Sequence, residues 1–573
     1  MSVHSTQANR FAFTLVHIIF ISLYKKYQIF MKLLWIDLNS SYAHASLALP
    51  ALHAQMQNEK SIEWSVISAT INENIGMVVK NAAKYKPDII AATAWLFNRE
   101  FLLHVISRLK AIYPETTVIL GGPEFLGDNY DFLSIHPYIN CVFRGEGEEY
   151  FPKWIDIWDN QAQWNTITGL CYFDNSQKYH DNGTARVLKF DKLKYPESSC
   201  FFNWNKPFVQ LETTRGCFNT CAFCVSGGEK PVRTLPVETI RMRLQNIKSH
   251  GIQNVRILDR TFNYNTARAK ELLALFSEFE GSIRFHLEIH PGLLNAETKN
   301  TLKNMPKGIL HLEAGIQSLH EEVLDCCRRK GNLKNSLDGL QFLCNLPNME
   351  THADLIAGLP LYHFDQIISD IYTLAQFGAG EIQLESLKLL PGTEMRRRAE
   401  ELGIHYSPLP PYEVLETASI SIEELQQARL ISRLLDGYYN TPIWKDITRK
   451  LIISEKDFIL HFLKYLIKSD VIDKPLSIEK RGLLLYDFCK KEYSSYTSDV
   501  AFAWIKAGMS LKKEPAENIK TKGQTPPNNW KIIQGKYHKD MKLYMLPSLE
   551  NKYWFGYDPL KKQFIPDMIA ISN

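Results

Sequence analysis

The stretch Cys217-Phe218-Asn219-Thr220-Cys221-Ala222-Phe223-Cys224, just past the apolar run Phe208 to Leu211, decides the reading of this chain. Three thiolates at this spacing can hold three corners of a cubane iron–sulfur cluster and leave the fourth iron open. An open iron accepts a small chelating ligand, so the spacing points to catalysis more than to electron storage. A zinc knuckle is the competing reading, with Cys200 or a histidine as fourth ligand, because structural zinc sites also use spacings of two to four residues. Zinc sites mostly come as two Cys-x-x-Cys pairs, however, and the sequence holds no second pair.

Downstream of the cysteines, short apolar or β-branched runs alternate with longer helical patterns, the mark of a parallel sheet built from βα units. Strands are predicted at 208–213, 255–259, 283–288, 309–313, 351–356 and 381–385. Six units fit a partial barrel rather than a closed eight-stranded one. Ligands of such sheets bind at the carboxyl ends of the strands, and Asp259, Glu288, Gln317 and Asp354 fall there. Each of the four is also explicable as a capping residue at a strand end.

Taken together, these strings resemble the radical S-adenosylmethionine (SAM) superfamily, whose signature is Cys-x-x-x-Cys-x-aromatic-Cys, with Phe223 as the aromatic here. Glu288-Ile289-His290-Pro291, Gly315-Ile316-Gln317-Ser318 and Asp354-Leu355-Ile356-Ala357-Gly358-Leu359-Pro360 look like the matching stretches of the coproporphyrinogen-oxidase-type branch. There a glutamate, a glutamine, an arginine twelve residues further on and an aspartate contact SAM. The resemblance implies a 4Fe-4S cluster on Cys217, Cys221 and Cys224, and SAM contacts from Phe223, Glu288, Gln317, Arg329 and Asp354. Carboxylates at 288 and 354 can accept from ribose hydroxyls or an amino group, and the Arg329 fork suits a carboxylate. Lys388 and the Leu390-Pro391-Gly392-Thr393 turn also resemble the family, without an assigned role, and Asp259 and Phe262 resemble the segment after the second strand in cobalamin-linked members. One departure stands out. The Gly-Gly-Glu-Pro string that many members carry after the second strand is missing, and Gly227-Gly228-Glu229, just past Cys224, reads as a loop turn.

The region before the barrel alternates strand-like runs at 32–37, 63–68, 88–93, 116–120 and 141–144 with helical patterns, the spacing of a flavodoxin-like doubly wound domain. The turns after these runs are small or glycine-rich, which lets a backbone approach a bulky ligand. Ahead of a radical SAM barrel, the Gly121-Gly122-Pro123 and Arg144-Gly145-Glu146-Gly147-Glu148 strings resemble the cobalamin-binding domain of the cobalamin-dependent class. That resemblance implies cobalamin contacts from Asn39, Ser40, Thr93, Gly121, Gly122, Gly145 and Glu146. The Asp-x-His-x-x-Gly motif that ligates cobalt from below is absent: Asp37 is followed by Leu38-Asn39, and His44 lies too far along.

The expected organisation is an extension over 1–30, a cobalamin-binding-like domain over 31–160, a linker over 161–206, the radical SAM core over 207–400 and a mainly helical region of unknown role over 401–573. Residues 11–24 are apolar but too short to span a bilayer, and Met31 is the expected true start, with an amphipathic anchor as the alternative. The linker is expected to hold a helix at 154–164 and hairpin strands at 168–173 and 185–190, the stretch 512–529 to be flexible, and the last forty-odd residues to form a small β unit. The C-terminal aromatics read as core. A chain of 573 residues is too long for one ordinary domain, and a net charge of +4 argues for neither a nucleic-acid nor a membrane surface. Ten cysteines without a paired framework point to a reducing compartment, the cytoplasm.

The class implies reductive cleavage of SAM to a 5′-deoxyadenosyl radical, hydrogen abstraction from an unactivated carbon and methylation of that carbon, with electrons from a low-potential donor such as flavodoxin or ferredoxin. Rearrangement or cyclisation is the alternative within the class. A non-catalytic iron–sulfur or zinc protein is the alternative outside it.

Overall fold

The computed structural model describes residues 31–56, 61–510 and 513–517, together with strand segments 542–547, 551–558, 563–564 and 570–572. The expectations for 1–30, and most of that for 512–529, lie outside the described residues. The chain forms two compact units, one of residues 31–260 with Lys388–Arg398 and Ser407–Glu413, the other of Thr261–Leu387, Ala399–Tyr406 and the chain from Val414 onward.

The first unit is built on β1 (Met31–Asn39), β2 (Ile62–Thr70), β3 (Ile89–Thr93), β4 (Thr117–Gly121) and β5 (Cys141–Phe143), parallel in the order β2-β1-β3-β4-β5. That is the flavodoxin-like doubly wound order. Strands covered on both faces must be apolar on both sides, and the sequence obeys: Leu34 and Ile36 enter one apolar layer while Leu33 and Trp35 enter the other. Helices α1 (Ala48–Met56), α2 (Ile75–Ala83) and α3 (Arg99–Ile112) carry the chain between strands. Asn74 caps α2 by accepting from the Met77 N–H at 3.2 Å.

Two further strands, β6 (Leu170–Phe173) and β7 (Tyr179–Asp181), continue this sheet antiparallel beside β5. The stretch read as a linker hairpin therefore extends the first sheet. Its second strand lies earlier than expected, because Ala185 instead bridges Gly145. The helix expected at 154–164 is two short pieces, Phe151–Ile155 and a 3-10 turn at Gln161–Thr166, which bury Trp154 and Trp164 in the same apolar layer.

Asn98 ties the ends of β1 and β3 together. Its buried amide donates to Leu38 O at 2.9 Å and Thr93 O at 3.1 Å, and its side-chain oxygen accepts from the Trp95 N–H at 2.8 Å. Asn98→Ala strands these groups without partners and is expected to destabilise this unit by about 2 kcal/mol, measured by chemical denaturation.

Six parallel strands of the expected (βα)6 arrangement follow in chain order. The first unit supplies β8 (Val209–Leu211) and, after the short strands β9 (Thr214–Arg215) and β10 (Arg233–Thr234), β11 (Asn254–Ile257), which pairs with β8. The second unit supplies β12 (Arg284–Glu288), β13 (Leu310–Gln317), β14 (Glu350–Ala357) and β15 (Glu381–Ser386), paired in that order. Alternation along β13 buries Leu310, Leu312, Ala314 and Ile316 and turns His311, Glu313, Gly315 and Gln317 to the other face. A mainly helical region follows, from Ile422–Leu434 to Thr497–Lys506, with Trp444, Phe458, Phe462 and Trp504 fully buried, so its aromatics are core. The last strands form an antiparallel sheet, as expected.

Candidate active site

The cysteine loop is an excursion closed at its neck. Strands β9 and β10 pair antiparallel, Arg215 opposite Arg233, and everything between them is the loop. Within it Cys224 N donates to Cys221 O at 3.1 Å, Gly227 N to Cys224 O at 3.0 Å and Gly228 N to Asn219 O at 2.8 Å, while Cys217 N reaches Glu229 O at 3.0 Å. The Gly-Gly-Glu string is thus the turn that folds the loop back on itself. The first turn of the helix Glu394–Arg397 adds a bond from Met395 N to Ala222 O at 2.8 Å. Cys221 is buried, while Cys217, Cys224 and Phe223 are half-buried. A β-carbon at Gly227 would run into the Cys221 carbonyl oxygen and lie 3.0 Å from that of Cys224. Gly227→Ala is therefore expected to open the turn and lower iron bound after reconstitution about tenfold, the lower end of what disturbing a metal site's surroundings costs.

Asp259, buried at the end of β11, spends its oxygens inside the chain. Oδ1 accepts from Thr213 N at 2.8 Å and Thr214 N at 2.9 Å, and Oδ2 accepts from the Thr213 hydroxyl. It fixes the strand that leads into the cysteine loop.

At the neck, the Arg144-Gly145-Glu146-Gly147-Glu148 string meets the two arginines. Glu146 accepts from Arg233 through both oxygens, at 2.6 and 2.7 Å, and also from Val187 N at 2.6 Å. Glu148 pairs with Arg215 at 2.7 Å, and Arg215 also holds Glu212 at 2.8 Å. The glycines expected to face cobalamin divide in two. A side chain at Gly122 would lie 2.5 Å from Ala94 O, and one at Gly145 would strike Ala185 O, so both are required by the chain's own packing at positive φ. Gly121 is open: a methyl there meets nothing nearer than Phe143 Cβ at 3.9 Å. Asn39, Thr93 and Gly121 end the neighbouring strands β1, β3 and β4, with Ser40 in the bend after β1. His44 is engaged with Ser41 at 2.9 Å and with the Phe208 ring.

In the second unit Gln317, Arg329 and Asp354 gather around Gly315. Arg329 Nη2 donates to Gly315 O, and a methyl at Gly315 would lie 2.5 Å from Gln317 Nε2 and 3.9 Å from Asp354 Oδ2. Gln317 holds φ of +73°, a strained conformation for a side-chain-bearing residue and frequent at functional sites. Glu288 ends β12 and pairs in register with Glu313, and its carbonyl accepts from Phe262 N at 2.8 Å. Phe262 itself is buried against Phe276. Burial and the Arg329 charge push His290 down to about 4, so its ring is neutral.

Residues 211–371 match the model of the Radical SAM superfamily, residues 36–154 that of the B12 binding domain, and residues 400–511 that of a protein of unknown function, DUF4080. One segment of the chain is therefore similar to the radical SAM superfamily and another to B12 binding domains. A cobalamin-dependent radical SAM methyltransferase, TokK, of Streptomyces tokunonensis is 20% identical over 57% of this chain and 51% of its own length. The chain spans about half the length of the curated relatives it matches. The fold is that of the cobalamin-dependent radical SAM enzyme OxsB (TM-score 0.57, 14% identity, 81% of this chain and 76% of that one) and of TsrM from Kitasatospora setae (TM-score 0.55, 15% identity, 66% and 78%), whose solved structures carry cobalamin with SAM and with a [4Fe-4S] cluster respectively.

The residues present fit a cubane cluster: three thiol side chains lie within eight residues of one backbone-locked loop. Among the described residues no three or more His, Cys, Asp and Glu side chains gather as the ligands of a single ion would. No helix among them is long and apolar enough to cross a membrane. A cavity of about 390 Å³ opens at the ends of β1 and β2, lined by Asp37, Asn39, Ser68, Thr70, Lys206 and Phe208 among others. Burial raises the Asp37 carboxyl, against Asn39, Lys206 and Ser68, which lower it.

Sequence reasoning missed Arg215 and Arg233 at the neck, and His286, Glu313 and His352 beside Asp354. The second group does leave a signal, since histidine, glutamate and aspartate alternate with apolar residues along three successive strands.

Proposed function

We propose that this chain is a cobalamin-dependent radical SAM enzyme that methylates an unactivated carbon. The observation that carries this is the cysteine loop, locked by its own backbone and placed directly after a parallel strand. Cys217, Cys221 and Cys224 hold the 4Fe-4S cluster. Glu288, Gln317, Arg329 and Asp354 bind SAM, with Phe223 beside the cluster. Asn39, Ser40, Thr93 and Gly121, at the carboxyl ends of adjoining strands, face cobalamin. When bound, the cluster would pass the reductant's electron to SAM, releasing a 5′-deoxyadenosyl radical and methionine, and cobalamin would supply the methyl for the substrate carbon. The chain's part is positioning, which can account for a large share of a rate. The Arg329 guanidinium fork offers paired donors to the SAM carboxylate, and Asp354 and Glu288 offer acceptors for its amino and hydroxyl groups. A low-potential reductant such as flavodoxin or ferredoxin completes the reading, with the cytoplasm as its setting.

The test is anaerobic reconstitution with iron, sulfide and cobalamin, then product analysis with SAM and a reductant. 5′-Deoxyadenosine together with S-adenosylhomocysteine is expected. 5′-Deoxyadenosine alone marks rearrangement or cyclisation, and neither product rejects the proposal.

A further inference from the structure

The polar face of β12 to β14 carries a ladder of titratable groups, and of these the reaction above uses only Glu288 and Asp354. His286 Nε2 lies 2.8 Å from Glu313 Oε2 on the neighbouring strand, and His352 Nε2 lies 2.9 Å from Asp354 Oδ1 two residues along its own strand. Glu313 is in register with His352, Gly315 with Asp354 and His286 with His311, so the four groups occupy three successive rungs of one face. Among the described residues neither His352 Nε2 nor Asp354 Oδ1 makes an aligned hydrogen bond, so their 2.9 Å approach is an ion pair. The imidazole and the carboxylate thus face each other as a charge pair, and a methyl at Gly315 would lie 3.9 Å from the other carboxylate oxygen, Asp354 Oδ2.

We propose that His352 and Glu313 act on Asp354 as opposed positioning residues of the SAM site: the imidazole, 2.9 Å from Oδ1, turns the carboxylate into the site, and the Glu313 carboxylate, in register with His352 on the neighbouring strand, opposes it. This rests on Asp354 contacting SAM. The surroundings support it from every strand. His286 and Glu288 face the ladder from β12, His311 and Glu313 from β13, and Glu381 from β15, with Arg284 and Glu350 at the far end and Arg329 at the near end. Burial raises the Asp354 carboxyl and Glu313 raises it further, while His352 opposes both. Burial disfavours the His352 cation, and the contact with Asp354 together with the Asp354, Glu313 and Glu381 charges outweighs it. Glu313 is held below the usual carboxylate range by its bond to His286, against burial. Burial first, then the neighbouring cations, push His311 down to about 4, so it adds no charge.

SAM carries a sulfonium and an ammonium and needs the ionised carboxylate, so affinity falls as pH falls through the Asp354 titration. Equilibrium dialysis of radiolabelled SAM against the anaerobically reconstituted protein, without reductant, reads this acid limb from pH 4.5 to 8. His352→Asn removes a cation and is expected to move the limb up by about one pH unit; Glu313→Gln removes an anion and moves it down by about as much. A residue that merely supports the fold would weaken binding at every pH without opposite displacements. Glu313→Gln conserves size, so its sign alone decides if His352→Asn fails to fold. Asp354→Asn is expected to abolish the limb and weaken binding at neutral pH about tenfold, the effect of one lost polar contact. Unchanged binding in Asp354→Asn rejects the SAM contact itself. Weakened binding in Asp354→Asn, with the limb unmoved or moved one way in the other two variants, overturns the positioning roles alone.

Discussion

Replacing Cys221 by alanine is expected to leave the protein folded, to remove the iron–sulfur centre, and to lower 5′-deoxyadenosine formation by more than about a hundredfold. The magnitude follows from metal-site chemistry: losing an outer-shell partner already costs ~10–100-fold in metal affinity or activity, and a ligand is worth more. The fold survives because the loop is closed by backbone groups. Cys221 O accepts from Cys224 N, and Ala222 O from Met395 N, neither of which needs the thiol. Iron and acid-labile sulfide analysis of the reconstituted variant checks the first half, and product analysis checks the second. Cys200→Ala is the control, since Cys200 is exposed and belongs to the zinc-knuckle reading. Retained SAM cleavage in Cys221→Ala, or loss of iron in Cys200→Ala, would reject the ligand set.

What the sequence could reveal here was decided by range. The cysteine spacing is local chemistry, so it was readable at once. The strands were readable because parallel strands leave a period of two or a continuous apolar run. Tertiary partners were not. Glu146 and Glu148 stand in a glycine-rich turn and read as a ligand-facing loop, yet their cations lie 87 and 67 residues further along. Gly122 and Gly145 illustrate the same limit from the other side: a glycine demanded by a close approach looks the same in sequence whether a ligand or the chain's own carbonyl makes the approach. Asp259 was equally legible as a cap and as a site residue, and only the threonines around it decide for the cap. His352 went unread because its partner Asp354 was taken alone, and the Glu313 opposite becomes a neighbour only when the register of β13 against β14 is known.

The neck of the cysteine loop offers the second large effect. Glu146→Gln is expected to destabilise the first unit by about 2 kcal/mol, less than the ~3–5 kcal/mol of a fully buried broken pair, because Arg233 keeps Glu229 at 2.9 Å. Burial raises the Glu146 carboxyl, but its bonds to Arg233 and Val187 and the Arg215 charge lower it more, so its net shift is downward. A depressed folded value means that this contribution is present above the ordinary carboxylate range and is lost as pH falls through the depressed value. Chemical denaturation of the first unit should therefore weaken with acid in the native protein, and this part of the slope should be missing in Glu146→Gln. Glu146 also lies 3.9 Å from Arg215, so it reaches both strands between which the cysteine loop hangs, and the variant is also expected to surrender iron to a chelator several-fold faster at neutral pH. If stability falls while the rate of iron loss is unchanged, the Glu146 pair belongs to the fold alone, and the loop keeps its shape through its backbone bonds.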